Sequence, residues 1–415
     1  MTPPRRLVTL YLMTAHTSLA LAFALTASNP HAVAGFFYHA RMVAIVHLIT
    51  IGWIAMSIIG NAYVLLPMAF GVALPARKGD YIAFAAVLVG LIGMVAHFWI
   101  AEFGGMAWSA ATAAAGIAHV AARLALAARN AKVPHAIKLH VYFASANLLA
   151  AIAMGVLLGF DKVHQFLPGY VLSNVFAHAH LAAIGWAGMM VVGIGYRLLP
   201  MVLPATTPAG RTPYLSASFL EAGVIGLFVL LVARSDAVVV PTLLIVAGFV
   251  GFGAHVIRMV VRPHPLPCRS YSDVGAVHLV AGAVALLFAV VCGVMLTVLP
   301  VSESTLRLAL LYGTLGLVGF LAQTILGFEQ HILAIAASSW KVTGHFSRRL
   351  RLVPPVLWLT GVPAVASGLF RNVPTLLGFG AWLLFVAAFV DALKTASLLL
   401  RNRAEAATRI DTLEG

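Results

Sequence analysis

Sixteen histidines outnumber the twelve acidic residues of this 415-residue chain, and several stand where imidazole could do chemistry. His47 opens the run His47-Leu-Ile-Thr-Ile-Gly52-Trp53, and His178 and His180 open His178-Ala-His180-Leu-Ala-Ala-Ile-Gly185-Trp186. Imidazole suits copper and zinc as well as iron. Two histidines on facing helices at one depth suit an iron porphyrin, which takes its axial ligands from opposite faces. Residues two apart on a helix point about 200° apart, so His178 and His180 can serve two crevices. A ligating histidine normally donates its other ring N–H to a carbonyl or carboxylate. The competing role is plain helix-to-helix hydrogen bonding, worth about 0.6 kcal/mol on average in a membrane. His16, His97, His119 and His255 are read in that way. His135, His140, His278 and His331 read as solvated or structural groups near one boundary, and His31, His164, His264 and His345 as loop residues. Acidic residues in or near apolar runs are few: Glu102, Glu221, Glu329 and Asp391. Glu329, two residues before His331, fits either a proton route or a structural partnership.

The elements that must position these groups follow from composition. Hydrophobic residues make up 62% of the chain and charged residues 9%, where a soluble globule has roughly 45–50% and about 25%. So much apolar surface needs lipid as its solvent. Apolar runs of spanning length cover roughly 7–28, 41–71, 80–101, 105–129, 138–160, 170–203, 213–234, 237–261, 274–299, 305–338, 352–370 and 374–400. The first, after Arg5-Arg6, could pass for a secretory signal, but it is long enough to span and is read as a retained helix. With the N-terminus in the cytoplasm, all but five of the 26 basic residues (Arg41, Lys162, Arg234, Arg307 and Arg371) lie at that face, including Arg262, Arg269, Lys341 and the tail from Arg401. That is a positive-inside pattern with both termini cytoplasmic, as in a bacterial-type inner membrane. It makes the net charge of +14 a matter of anionic lipid rather than nucleic acid. Cys268, in a loop, and Cys292, in an apolar run, offer neither a metal spacing nor a disulfide framework.

A search for internal repeats sharpens the picture. His47, Gly52, Trp53, Gly60, Tyr63 and Leu65-Leu66-Pro67 reappear 133 residues later as His180, Gly185, Trp186, Gly193, Tyr196 and Leu198-Leu199-Pro200. A further 134 residues on, Gly319 and Gly327 match, while Thr314 stands in the histidine position. His119, His255 and Asp391 form a second series 136 apart. The fold expected is an all-α polytopic membrane protein of twelve transmembrane helices, built as three four-helix repeats (approximately 1–134, 135–270 and 271–415) around a pseudo-threefold axis. Gly52, Gly60, Gly185 and Gly193 should mark helix contacts, the Leu-Leu-Pro triplets should end helices, and Tyr63 and Tyr196 should sit in an interfacial belt.

Twelve helices in three arcs, with histidines at the outer ends of the second and sixth, resemble the catalytic subunit (subunit I) of heme–copper oxidases. The wording from His178 to Pro200 resembles the cbb-type branch and its short stand-alone relatives, and the overall size resembles the NnrS family, heme- and copper-containing proteins linked to nitric oxide metabolism. The resemblance implies a b-type heme, a possible copper, and basic residues such as Arg371 pairing with heme propionates. The pattern also departs from the oxidases. Tyr312-Gly-Thr314 stands where they carry His-x-His in the tenth span, the seventh span has no histidine, Ile184 rather than tyrosine lies four after His180, and Leu181 replaces the NnrS glutamate. The ligand set of the ordinary dioxygen-reducing centre is therefore incomplete.

The reading that follows is a heme-binding membrane protein for electron transfer, or for handling nitric oxide, dioxygen or a similar diatomic gas. His47 and His180 would be axial ligands of heme b, with His178 on a second heme or copper and electrons supplied by quinol or a redox protein. Its rivals are a copper-handling or assembly protein without heme, and a non-catalytic relative whose histidines only join helices.

Overall fold

Backbone N–H and C=O groups in hydrocarbon have no water to bond, so an apolar run of spanning length must close its own hydrogen bonds as a helix. The computed structural model, which describes residues 2–35, 38–202, 210–261, 274–340 and 348–400, does this twelve times. The spans are α1 Arg5–Ser28, α2 Ala40–Ala69, α3 Lys78–Trp99, α4 Phe103–Arg129, α5 His135–His164, α6 Val171–Pro200, α7 Thr212–Val232, α8 Asp236–Val261, α9 Val274–Val298, α10 Glu303–Ala334, α11 Arg351–Arg371 and α12 Pro374–Leu400. Each coincides with an expected run to within a few residues, and no strand occurs among the described residues. The chain is a polytopic helical membrane protein. Arg262, His264, Cys268, Arg269, Lys341, His345 and the tail from Arg401, all assigned above, lie outside the described residues.

Both ends of the bundle share one face, because Arg5 Nε and Nη2 donate to the Leu399 carbonyl at 3.1 and 2.8 Å. This face is called terminal below, and the opposite one distal. Each helix packs on the next in sequence, and α12 packs on α1 to close the circuit. At the middle, α2, α6 and α10 touch one another. Large apolar side chains such as Ile92 of α3, Ile257 of α8, Leu287 of α9 and Phe379 of α12 are exposed on the outside, where lipid would cover them.

The glycines mark helix contacts, as expected. A Cβ on Gly52 would come 2.5 Å from Ser18 Cβ of α1, and one on Gly193 would come 2.4 Å from His140 Cβ of α5. Gly185 abuts Asn147 of α5 at 2.8 Å, and Gly319 abuts Ala285 of α9 at 2.7 Å. So α1–α2, α5–α6 and α9–α10 are all close crossings made possible by a missing side chain.

The inner helices are not regular throughout. Leu48–Ala55 in α2, Leu181–Gly188 in α6 and Leu315–Ala322 in α10 are π-helical, eight residues each, and begin directly after His47, His180 and Thr314. Their starts are separated by 133 and 134 residues, the same displacements as the sequence landmarks. A π-turn is rare and tends to mark a functional position. Nothing in the residue types announces it.

Two expectations change and one narrows. Tyr63 and Tyr196 are not interfacial: they are 0% and 1% exposed, with Tyr63 stacked on Tyr11 and Tyr196 edge-on to His255. They lie on inner helices, on faces that pack against α1 and α8. Of the two roles left open for His140 and His278, burial leaves the structural one, since both are completely buried. Pro67 lies inside α2, which runs on for two residues before ending, while Pro200 closes the span of α6.

The close crossing of α5 and α6 gives a first prediction. Gly193→Ala should push these helices apart at a cost of about 1–3 kcal/mol and lower the unfolding temperature in detergent by several degrees. Gly253→Ala, where a Cβ meets nothing within 4 Å, should leave it unchanged; equal effects would show that the crossing is not tight.

Candidate functional site

α2, α6 and α10 all enter the bundle from the distal face, so the eighth to tenth residue of each lies about 12–15 Å along its axis. Those residues are His47, His178, His180 and Tyr312, and all four line one cavity of about 660 Å³. Its wall is otherwise largely apolar, with Thr50, Phe98, Met106, Trp186 and Phe320 among the lining residues. The volume falls within the range of small-molecule and cofactor pockets, roughly 300–1,000 Å³.

The three imidazoles are held in the same manner. His47 and His180 each place Nδ1 2.8 Å from the carbonyl oxygen four residues earlier, Val43 and Phe176. His178 reaches across to α5, with Nδ1 3.0 Å from the Ala151 oxygen. Carbonyls only accept, so each Nδ1 carries the proton and each Nε2 keeps a lone pair. Gly155 of α5 makes room for His178, since a Cβ there would stand 2.9 Å from its Cε1. His47 is stacked on Phe98 with ring centroids 5.5 Å apart.

The two residues of the His178-Ala-His180 pair point to different neighbours, although they share one cavity rather than two crevices. His178 faces α5. His180 faces α10, where Tyr312 stacks on it at 5.9 Å and the Tyr312 hydroxyl lies 3.2 Å from its Nε2. With the Nε2 lone pair free to accept, the hydroxyl is the donor. Tyr312 occupies the repeat position of His178, 134 residues on, so its place was readable from the register.

Arg371 ends α11, is exposed and is not part of the cavity wall, although Leu369 and Leu377 on either side of it are. The cation that does line the cavity is Lys162 near the end of α5, whose Nζ sits 4.6 Å from the Tyr38 ring and 4.8 Å from the Phe103 ring. Such placements are worth about 0.5–1 kcal/mol at exposed sites and more when desolvated. Burial, with a contribution from Asp161, pushes the Tyr38 hydroxyl up to about 12, so it remains a hydrogen-bond donor at neutral pH. Lys162 and Tyr38 escaped sequence reasoning because they are joined only by the fold.

The remaining histidines divide. His16 Nε2 lies 2.6 Å from Glu329 Oε1, and His119 Nε2 lies 3.0 Å from Asp80 Oδ1, so both join helices as expected. His97 bonds the Gly93 carbonyl at 2.6 Å on its own helix. His255 packs against Tyr196 instead. Among the described residues, no group of three His, Cys, Asp or Glu side chains is arranged to hold a metal ion. No protein-family profile matches the chain, and no curated protein is significantly similar to it.

Tyr312→Phe keeps the ring on His180 and deletes one hydrogen bond. It should cost about 0.5–1.5 kcal/mol, read as a small drop in thermal stability with the fold retained. An unchanged melting profile would mean that the hydroxyl contributes nothing to holding α6 on α10.

Proposed function

We propose that the distal cavity binds a b-type heme and that the protein works in electron transfer or in handling a diatomic gas such as nitric oxide or dioxygen. One observation carries this reading: three imidazoles from α2 and α6 are each fixed through Nδ1 to a carbonyl and present Nε2 to a single apolar cavity. Fixing the tautomer and ring orientation through the far nitrogen is how proteins prepare histidine ligands.

The residues fit the group. An iron porphyrin brings four ligands of its own and asks the protein for one or two, whereas structural and catalytic zinc, for comparison, take three or four. Among the described residues no three His, Cys, Asp or Glu side chains are arranged to hold a metal ion, which favours heme over a bare copper ion and over the copper-handling alternative. His47 belongs to either possible pair. The pairing with His180 competes with Tyr312 for the same Nε2, so the geometry favours His47 with His178, leaving His180 and Tyr312 as a second polar pair beside them. Held by His47 and His178, such a group would supply one-electron chemistry and a place for a small diatomic ligand. The apolar wall excludes water, Thr50 and Tyr312 offer hydroxyls to a small polar ligand, and Lys162 offers a positive charge to an anionic edge. Arg371, at the α11 end, can contribute charge only at the rim.

The three sets of four helices, with glycine crossings and π-turns at matched registers, support a pseudo-threefold arrangement of the kind seen in heme–copper oxidase subunit I. The basic residues concentrated at the terminal face support a bacterial-type inner membrane with cytoplasmic termini, which puts the cavity in the periplasmic half. Electrons would come from quinol in the bilayer or from a redox protein.

Protein purified with adequate heme and copper supply should show a b-type band in its reduced-minus-oxidised spectrum. His47→Ala and His178→Ala should abolish it, and His180→Ala should leave it. A band lost only with His47→Ala and His180→Ala restores the other pairing, and one that survives His47→Ala overturns the assignment. Copper without the band supports the rival reading. For orientation, a cysteine replacing Arg371 in a cysteine-free background should react with an impermeant maleimide added to intact cells; labelling only after lysis would reverse the topology.

A further inference from the structure

The distal cavity does not account for the most deeply buried ionisable pair in the bundle. His16 of α1 and Glu329 of α10 are 1% and 2% exposed, and Nε2 and Oε1 are 2.6 Å apart. Asn61 Nδ2 of α2 donates to Glu329 Oε2 at 3.2 Å, and Thr395 Oγ1 of α12 lies 3.2 Å from His16 Nε2. Four helices thus converge on two titratable groups. Trp53 packs edge-on against His16 at 4.9 Å.

We infer that His16 and Glu329 form an intramembrane proton-binding site that exchanges with the terminal face. The inference stands whatever the distal cavity holds. The short Nε2–Oε1 contact requires one proton between the two atoms. With that proton alone, on a neutral imidazole beside a carboxylate, the pair has a net charge of −1. A second proton, whether it makes an imidazolium–carboxylate pair or a neutral imidazole beside a carboxylic acid, brings the net charge to zero. Moving between these states in a water-poor interior changes the local charge by one unit, which is costly unless the surroundings respond. The surroundings have unused capacity: His16 Nδ1 and Asn61 Oδ1 are buried and have no hydrogen-bond partner. Nδ1 is where the added proton would leave an N–H, and Asn61 Oδ1 is an idle acceptor in the same cluster.

The charged and titratable groups around the pair come from every neighbouring helix. On α12, Asp391 accepts from Lys394 Nζ at 2.8 Å, one turn from Thr395. His278 of α9 feels that pair and bonds Gln323, and His331 follows Glu329 on α10. Toward the terminal face stand Tyr11 and Tyr63, stacked at 6.3 Å, both hydroxyls buried and without a hydrogen-bond partner. Asp80 is fully buried but accepts from His119 and Arg123, and the His119 side chain is 41% exposed. Two buried hydroxyls thus stand on the terminal side of the pair, and Asp80 with the partly exposed His119 lies at the start of α3 and on α4.

Infrared difference spectra of the whole protein in lipid, recorded between about pH 4 and pH 10, test this directly. A carboxyl band should titrate together with imidazole bands, and it should vanish in Glu329→Gln. Because that variant could fail to fold, Asn61→Leu is the second probe: it keeps both titrating groups, removes one donor to the carboxylate, and should raise the midpoint by about one pH unit. Tyr63→Phe should leave the midpoint in place and slow the response of the band after a pH jump severalfold. A spectrum with no titrating carboxyl, or one that persists in Glu329→Gln with an unmoved midpoint in Asn61→Leu, would overturn the site. An unslowed response in Tyr63→Phe would overturn the route.

Discussion

An imidazole in a hydrocarbon interior gains most from a partner on at least one ring nitrogen, and the placing of His16, His47, His178 and His180 follows that demand. A buried polar group without a partner costs on the order of 1–3 kcal/mol, and in lipid there is little water to relieve it. At the distal end the chain answers with backbone: Val43, Ala151 and Phe176 each lend a carbonyl already serving a helix to an imidazole Nδ1. That settles one nitrogen of each ring on the cavity wall, and Tyr312 meets the other nitrogen of His180. In the middle of the bundle it answers with side chains, binding His16 to Glu329 across two helices.

For those answers to be geometrically possible, helices have to come unusually close. Gly52, Gly185 and Gly193 let α1 and α5 lie against α2 and α6, and Gly155 lets the His178 ring lie against α5. The π-turns then start directly after His47 and His180. Adding a residue to a turn rotates everything below it relative to everything above, so the imidazoles can face the cavity while the lower halves of α2 and α6 present Trp53, Trp186, Tyr63 and Tyr196 to the core. Close approach and a local change of helical pitch work together. One supplies proximity, the other direction.

The polar content of the membrane interior is divided by depth. Toward the distal face there is an apolar chamber with imidazoles, hydroxyls and one lysine at its wall. Toward the terminal face there are compact ionic clusters, Asp80 with Arg123 and His119, and Asp391 with Lys394. The first kind of site can admit a guest. The second kind is filled by its own side chains.

Much of the architecture was legible in residue order. Spanning runs follow from the length of apolar stretches, because a helix is the only way an isolated segment can satisfy its backbone in lipid. The equivalence of His47 and His180, and the glycine contacts, follow from a repeat that preserves spacing. The placing of Tyr63 and Tyr196 at the boundary failed, because tyrosine behaves alike at an interface and inside a core until its neighbours are known. Only the tertiary structure decided that His178 turns to α5 while His180 turns to Tyr312, that Lys162 rather than Arg371 reaches the chamber, and that His16 meets Glu329 more than three hundred residues away. Hydropathy and spacing act along one helix, and they fix where a residue lies in depth. Which way it faces depends on helix rotation, on pitch and on what the neighbouring helix leaves open, and those are settled between segments that share no local sequence.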